Sequence, residues 1–208
     1  EMSEGGVEAA LKNSHRVFEN VYESHYAQHC PMEPHVCVTH LDANGRLNIR
    51  TSTQVPFHTR RIVAQALDIP VKRVRVVKPR IGGGFGCKQE MLIEDICAAL
   101  TLKTKKPVRL EYTRKEEFMS ARTRHPQHIV LRTGVDKNGM MTAIDMNIVM
   151  NTGAYGSAAL TVLCNSASKV LPLFNKVKDI RFYGDSVYTN LPVGGAYRGY
   201  GATQAYQA

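Results

Sequence analysis

Two Asn-Gly pairs, Asn44-Gly45 and Asn138-Gly139, constrain this chain more than any other feature. Each sits between β-rich runs, in "VCVTHLDANGRLNIRTSTQ" (36–54) and in "HIVLRTGVDKNGMMTAIDMNIVMNTG" (128–153). Such pairs tolerate the positive φ that a tight antiparallel hairpin demands. Two separate hairpins are therefore expected, with helical signals between and around them. "FHTRRIVAQALDI" follows Pro56 and places Ile62, Ala66 and Ile69 near one face. "KQEMLIEDICAALTLKT" predicts an amphipathic helix with Leu92, Ile96, Ala99 and Leu100 inward. "TRKEEF" carries the capping signature Thr113-x-x-Glu116, and "SAALTVLCNSASKVL" predicts a further helix. Strands are expected over "HRVFENVYESHYAQHC", "VKRVRVVK", "PVRLEYT" and "DIRFYGDSVYT". The interleaving gives an α+β fold, mixed β-sheets with packed helices. Residues 1–14, with a short helix, read as a connecting segment from a preceding domain, and 15–208 as one domain that is incomplete at its C-terminal end.

Composition narrows the classes. Of 208 residues, 43% are hydrophobic and 22% charged, which places the chain among globular rather than disordered proteins. No apolar run approaches the roughly 18–20 residues that cross a bilayer, so no membrane partner is expected. The formal charge is +9, part of it in "VKRVRVVKPR" and "KTKKPVR". A basic balance fits nucleic acid, an anionic cofactor or an acidic partner. Within "KRVRVVK", charges alternating with valines describe a strand with one solvated face. No aromatic residue interleaves with "VKRVRVVKPR", which argues against a nucleic-acid surface. The five cysteines form no C-x-x-C pair, and reduced thiols in a cytoplasmic protein are the expectation. His35, His58 and His125 form no i,i+4 pair, so the protein is expected to supply no metal ligand of its own.

The stretch "KPRIGGGFGCKQE" joins a strand to a helix and invites comparison with phosphate loops. A Walker loop needs Gly-Lys-Ser or Gly-Lys-Thr, whereas Lys88 stands between Cys87 and Gln89. A dinucleotide fingerprint starting at Gly82 needs its last glycine at position 87, which is cysteine, and the register from Gly83 meets Phe85. What remains is physical. Gly82, Gly83, Gly84 and Gly86 permit close backbone approach, and a helix N-terminus offers donors to an anion. Phe85 either packs into the core of a structural turn or lies against a bound group. A second loop, "NLPVGGAYRGYGATQ", sets Arg198 and Tyr200 among glycines, an arrangement that suits an oxyanion grip beside a planar ligand. Two such loops point to a shared cleft.

Together with "STQ" at Ser52–Gln54 and "MEPH" at Met32–His35, these loops resemble the molybdenum hydroxylases, the xanthine dehydrogenase and aldehyde oxidase family. The resemblance is to the molybdenum-cofactor-binding subunit of the bacterial xanthine dehydrogenase-like branch. It runs from about residue 15 onward, with the four motifs in the family's order, and implies the first part of that family's molybdopterin-binding region. It implies that Gln54 hydrogen-bonds an oxo ligand of molybdenum and that Phe85, with Gly84 and Gly86 making room, lies against the metal. Arg198 is placed beside the cofactor, and Tyr200 and Gln89 against the substrate.

Two departures matter. Purine-oxidising members carry glutamate where Gln89 stands, with Glu90 next, and no substrate-binding arginine is evident around "LCNSA". Carbon-monoxide-oxidising members have a cysteine in the second loop, where this chain has "YRGYG". The family's catalytic base, a glutamate, belongs to a far C-terminal motif outside this chain, so the piece alone is expected to be inactive. The resemblance also implies a molybdenum–molybdopterin cofactor in its cytosine dinucleotide form. It further implies 2Fe-2S and FAD on other subunits or domains, an oligomeric complete enzyme, and an aromatic heterocycle or aldehyde substrate. The alternatives are a basic nucleic-acid-binding domain or a non-catalytic interaction module.

Overall fold

The computed structural model describes residues 2–208, with side chains from Gly5 onward. In chain order the elements begin with β1 (Met2–Glu4), α1 (Val7–Asn13), β2 (Arg16–Ser24), β3 (Val36–Leu41), β4 (Leu47–Thr51) and α2 (Pro56–Ala66). Then come β5 (Val74–Val77), α3 (Glu94–Thr104), β6 (Val108–Glu111), α4 (Arg114–Ser120) and β7 (Gln127–Val135). The last are β8 (Met141–Gly153), α5 (Ala159–Ser168), β9 (Asp179–Tyr188) and α6 (Ala202–Ala205). The chain divides into two compact units, one made of the residues up to Ala27 with Thr123–Ala208, the other Gln28–Arg122. Among the described residues no helix is long and apolar enough to cross a membrane.

The discontinuous unit is built on a five-stranded mixed sheet in the order β1-β9-β8-β7-β2, with only β8 and β9 parallel. The β7–β8 hairpin turns where Asn138-Gly139 predicts it. Asp136 Oδ1 accepts from the Asn138 and Met140 N–H groups, and Gly139 sits at φ 79°. Alternation along β8 sends Ile144, Met146, Ile148 and Met150 into one core with Val162 and Leu163 of α5 and Phe182 of β9. The helix over 7–13 packs Val7 and Leu11 with Ala143 in a small cluster of its own.

Near that cluster, Asp145 accepts from Arg132 Nε at 2.9 Å and from Arg181 Nε at 2.8 Å, and Glu8 bonds the same two arginines. Burial alone would raise the Asp145 pKa, but the Arg181 and Arg132 guanidiniums outweigh it and hold the carboxyl below its ordinary 3.8. Asp145→Asn is expected to cost about 2 kcal/mol, as loss of charge-assisted bonds does. A depressed folded-state pKa means this contribution is present above the ordinary carboxylate value and lost as pH falls through the lowered one. Comparing acid unfolding of the variant and the parent protein checks both statements; coincident transitions would contradict them.

The continuous unit carries a four-stranded sheet ordered β5-β4-β3-β6. Its β3–β4 hairpin turns around Asn44-Gly45, with Asp42 Oδ1 accepting from the Asn44 and Arg46 N–H groups at 2.9 Å. β4 and β5 pair in parallel, joined by α2, so this stretch is a β-α-β crossover. Leu47, Ile49, Val63, Val74, Ile93, Cys97 and Ala98 form its core, each large aliphatic side chain contributing about 1.5–3 kcal/mol by burial. The capping box forms as predicted: Thr113 Oγ1 accepts from Glu116 N–H, and Glu116 accepts from Thr113 N–H at 2.7 Å.

Two helix faces differ from expectation. α2 buries Thr59, Val63 and Ala64, leaving Ala66 exposed and Ile62 half-buried. α3 starts only at Glu94 and buries Cys97, Ala98 and Thr101, while Ile96 and Leu100 are about half exposed. α3 is apolar almost all round, so its pattern names no single inward face. Polar anchors choose one. Thr39 Oγ1 lies 2.6 Å from Thr101 Oγ1 and donates to the Cys97 carbonyl, and Glu94 accepts from Thr51 and from the Leu92 N–H. Similarly, Val71–Arg73 form a short 3-10 turn rather than strand, and β5 covers only the valine-rich end.

Candidate functional site

Parallel pairing of β4 and β5 brings their C-terminal ends to the same edge of the sheet, where open α/β units present their ligand-binding loops. Gln54 lies just past β4, at the turn into α2, and the glycine stretch leaves β5. The two meet. Gly86 N–H donates to Gln54 Oε1 at 2.9 Å, and Gln54 N–H donates to the Lys88 carbonyl at 2.8 Å. A Cβ on Gly84 would stand 2.5 Å from Gln54 Oε1, so only glycine lets the amide lie there.

The loop backbone is held in conformations most side chains avoid. Gly83 and Gly86 take φ of 99° and 112°, and between them Phe85 sits at φ 53° and is 49% exposed. Phe85 is therefore not a core residue of a structural turn. A non-glycine residue with positive φ costs on the order of 1 kcal/mol and persists only when its surroundings over-determine it.

Those surroundings are two polar clamps, one on the buried Lys88 and one on the buried His35 and Glu117. Glu33 Oε2 accepts from Gly82 N–H at 2.8 Å and from the fully buried Lys88 Nζ at 2.8 Å, which also donates to the Glu33 carbonyl. At the other end, Glu117 of α4 accepts from the backbone N–H of His35 at 3.0 Å and from its Nδ1 at 2.9 Å. His35 Nε2 donates to the Cys87 carbonyl at 3.2 Å. Burial alone would raise the Glu117 pKa, but the bonds to His35 outweigh it and keep the carboxyl below its ordinary 4.5. A carboxylate thus faces one imidazole nitrogen and a carbonyl the other, so the buried ring is held from both sides.

His35, Cys87 and Glu117 also bring ligand-type atoms within 4.8 Å of one another. Their hydrogen bonds leave nothing for an ion. Both His35 nitrogens already have partners, and the Cys87 thiol, pushed up to about 12 by burial and by the Glu117 charge, donates to the Gly84 carbonyl at 2.9 Å. The cluster is a latch on the loop backbone.

Beyond the loop, Gln89 closes the short turn by donating its N–H to the Gly86 carbonyl, and Glu90 is paired with Arg122. Arg198 and Tyr200 belong to the other unit, on a loop where Gly199, Tyr200 and Gly201 all have positive φ. Arg198 is exposed there, and Tyr200 is half-buried against its own unit's core.

The whole stretch 1–208 matches the family model described as the molybdopterin cofactor-binding domain. The chain belongs to that family. Among curated molybdopterin-domain relatives, it is 42% identical to a probable hypoxanthine oxidase XdhD of Escherichia coli O157:H7, over 95% of the chain and 20% of that protein. It is 38% identical to a putative xanthine dehydrogenase molybdenum-binding subunit XdhA of Escherichia coli K12, over 98% of the chain and 27% of that protein. In fold it matches the aldehyde oxidoreductase of Desulfovibrio gigas with a TM-score of 0.89 at 23% identity, over 98% of this chain and 22% of that one. The chain thus spans about a quarter or less of the length of each.

Gln54 offers a test of whether this molybdopterin-domain chain fits its family's cofactor. Because Gly86 N–H can only donate, it fixes the amide with Oε1 inward. Nε2 is then left without a hydrogen-bond partner among the described residues, while Oε1 and the amide carbon lie against Gly84, where a Cβ would collide with them. A directed amide donor held against a glycine loop fits an oxygen-bearing group. The clamps formed by Glu33, Lys88, His35 and Glu117 were not legible as site residues. "MEPH" marks two of them as a motif, but Glu117 lies 82 residues from His35, and no local spacing links them.

Proposed function

We propose that the chain is part of the molybdenum-cofactor-binding subunit of a hydroxylase-type, xanthine dehydrogenase-like oxidoreductase, one that hydroxylates an aromatic N-heterocycle or aldehyde with water-derived oxygen. The observation that carries this reading is the Gln54 amide, oriented by Gly86 N–H and packed against Gly84, with its NH2 group unpartnered among the described residues. Family membership favours it over the nucleic-acid-binding and interaction-module alternatives.

Bound molybdenum–molybdopterin, in its cytosine dinucleotide form, would supply the two-electron chemistry. The chain's own residues bind and orient. Gln54 Nε2 would donate to an oxygen of the bound group, and an amide polarises such an oxygen without giving up a proton at neutral pH. Phe85 provides an apolar wall on a backbone held by the two clamps. Arg198 would lie beside the cofactor, and Tyr200 would present a flat ring with a polar tip to the substrate. Gln89 addresses the substrate with a neutral amide. The neighbouring carboxylate of Glu90 is engaged by Arg122, so it does not replace the glutamate of purine-oxidising members. This favours a substrate recognised without an anionic partner. The complete enzyme, cytoplasmic and oligomeric in this proposal, carries 2Fe-2S and FAD on other subunits or domains, and its general base lies outside this chain.

Gln54→Leu in the complete enzyme removes the donor and keeps the bulk. Turnover is expected to fall about 100-fold, the usual loss for one preorganised donor, with molybdenum content by plasma mass spectrometry unchanged. Unaltered turnover would mean that the glycine loops are merely structural.

A further inference from the structure

The second glycine loop holds three consecutive positive-φ residues, Gly199, Tyr200 and Gly201 at 94°, 49° and 91°, and Tyr200 is partly packed on its own unit's core. Something must over-determine that backbone. One side chain meets it at four points. Arg124 Nη1 donates to Thr203 Oγ1 at 2.8 Å and to Gln204 Oε1 at 2.7 Å. Its Nη2 donates to the Arg198 carbonyl at 3.1 Å, and the guanidinium lies 3.8 Å from the Tyr197 ring centroid. Neighbours extend the seam. Thr123 N–H donates to the Val193 carbonyl and Thr123 O accepts from Gly195 N–H, while the His125 carbonyl accepts from Gln204 Nε2 at 3.1 Å.

We propose that Arg124 is the positioning residue of the second loop, a guanidinium brace that sets the direction of Arg198 and Tyr200 without itself touching cofactor or substrate. A planar fork is suited to the task. It reaches two side chains and one carbonyl in fixed directions while its face stacks on an aromatic ring, which an ammonium cannot do. The brace stands on geometry alone; only its catalytic consequence rests on the function proposed above.

The test compares Arg124→Ala and Arg124→Lys with wild type in the complete enzyme. Amide hydrogen exchange over 197–204 is expected to quicken about tenfold or more in both variants, while exchange in the core strands 144–150 stays as it was. In the alanine variant, kcat/KM is expected to fall about 100-fold, as misplacement by an ångström does, and millimolar free guanidinium is expected to recover at least a tenth of it. Arg124 borders a cavity of about 330 Å³ with Ser24, His25 and Gln204, which gives the free cation a way in. Lysine in place of arginine is expected to show the defect without the rescue. Unchanged exchange over 197–204 in both variants would overturn the brace, as would activity lost with no recovery by guanidinium. A wild-type enzyme lacking molybdenum would instead remove the functional reading, and the exchange comparison would still decide the brace.

Discussion

Glu117→Gln is expected to loosen the first glycine loop by about 3 kcal/mol, the scale of hydrogen bonds lost from a buried charged acceptor. Glu117 is fully buried, and its carboxylate takes both the His35 side chain and the His35 backbone N–H. Glutamine keeps the volume but supplies only one acceptor oxygen and no charge, so either the His35 backbone N–H or its Nδ1 loses its acceptor. Hydrogen exchange over 82–89 in the complete protein reads the change, and 3 kcal/mol corresponds to roughly 100-fold faster exchange where opening is local. The pH dependence has a definite sign. Because the folded Glu117 sits below its ordinary 4.5, its contribution is present above that value and disappears as pH falls through the lowered one. Wild-type protection of the loop should therefore fall off on the acid side, and the variant should lack that limb. Equal exchange in the two proteins at neutral pH would show that the latch carries nothing.

Gly84→Ala is expected to act almost entirely through Gln54. The added methyl would stand 2.5 Å from Oε1 and 2.8 Å from the amide carbon, so the amide must swing away and release Gly86 N–H. Alanine introduces no φ conflict at this position, unlike Gly83 or Gly86. A displacement near an ångström costs about 100-fold in rate at a positioned group. A double-mutant cycle isolates the route: once Gln54 has been replaced by leucine, adding Gly84→Ala should lower turnover little further. Fully multiplicative losses would mean that the methyl disturbs something other than the amide.

Much of this protein was legible from its residues because the determinants are local. Asn44-Gly45 and Asn138-Gly139 turn both hairpins, each with an aspartate just before the pair accepting the turn's N–H groups. Thr113 and Glu116 cap α4 by reciprocal bonds three residues apart. The glycines of both loops stand where φ or a close approach requires them. Tertiary structure decided the rest. The inward face of α3 depends on Thr39, 62 residues from Thr101, since apolar residues ring the helix and no period distinguishes its sides. Gln54 reaches the glycine loop because β4 and β5 run parallel, a pairing that neither strand encodes alone. The clamps are Glu33 with Lys88, His35 with Glu117, and Arg124 with the 197–204 loop, joined across 55, 82 and about 75 residues. Hydrogen bonds over such separations leave no periodicity in the chain, and only the folded backbone brings their partners within reach.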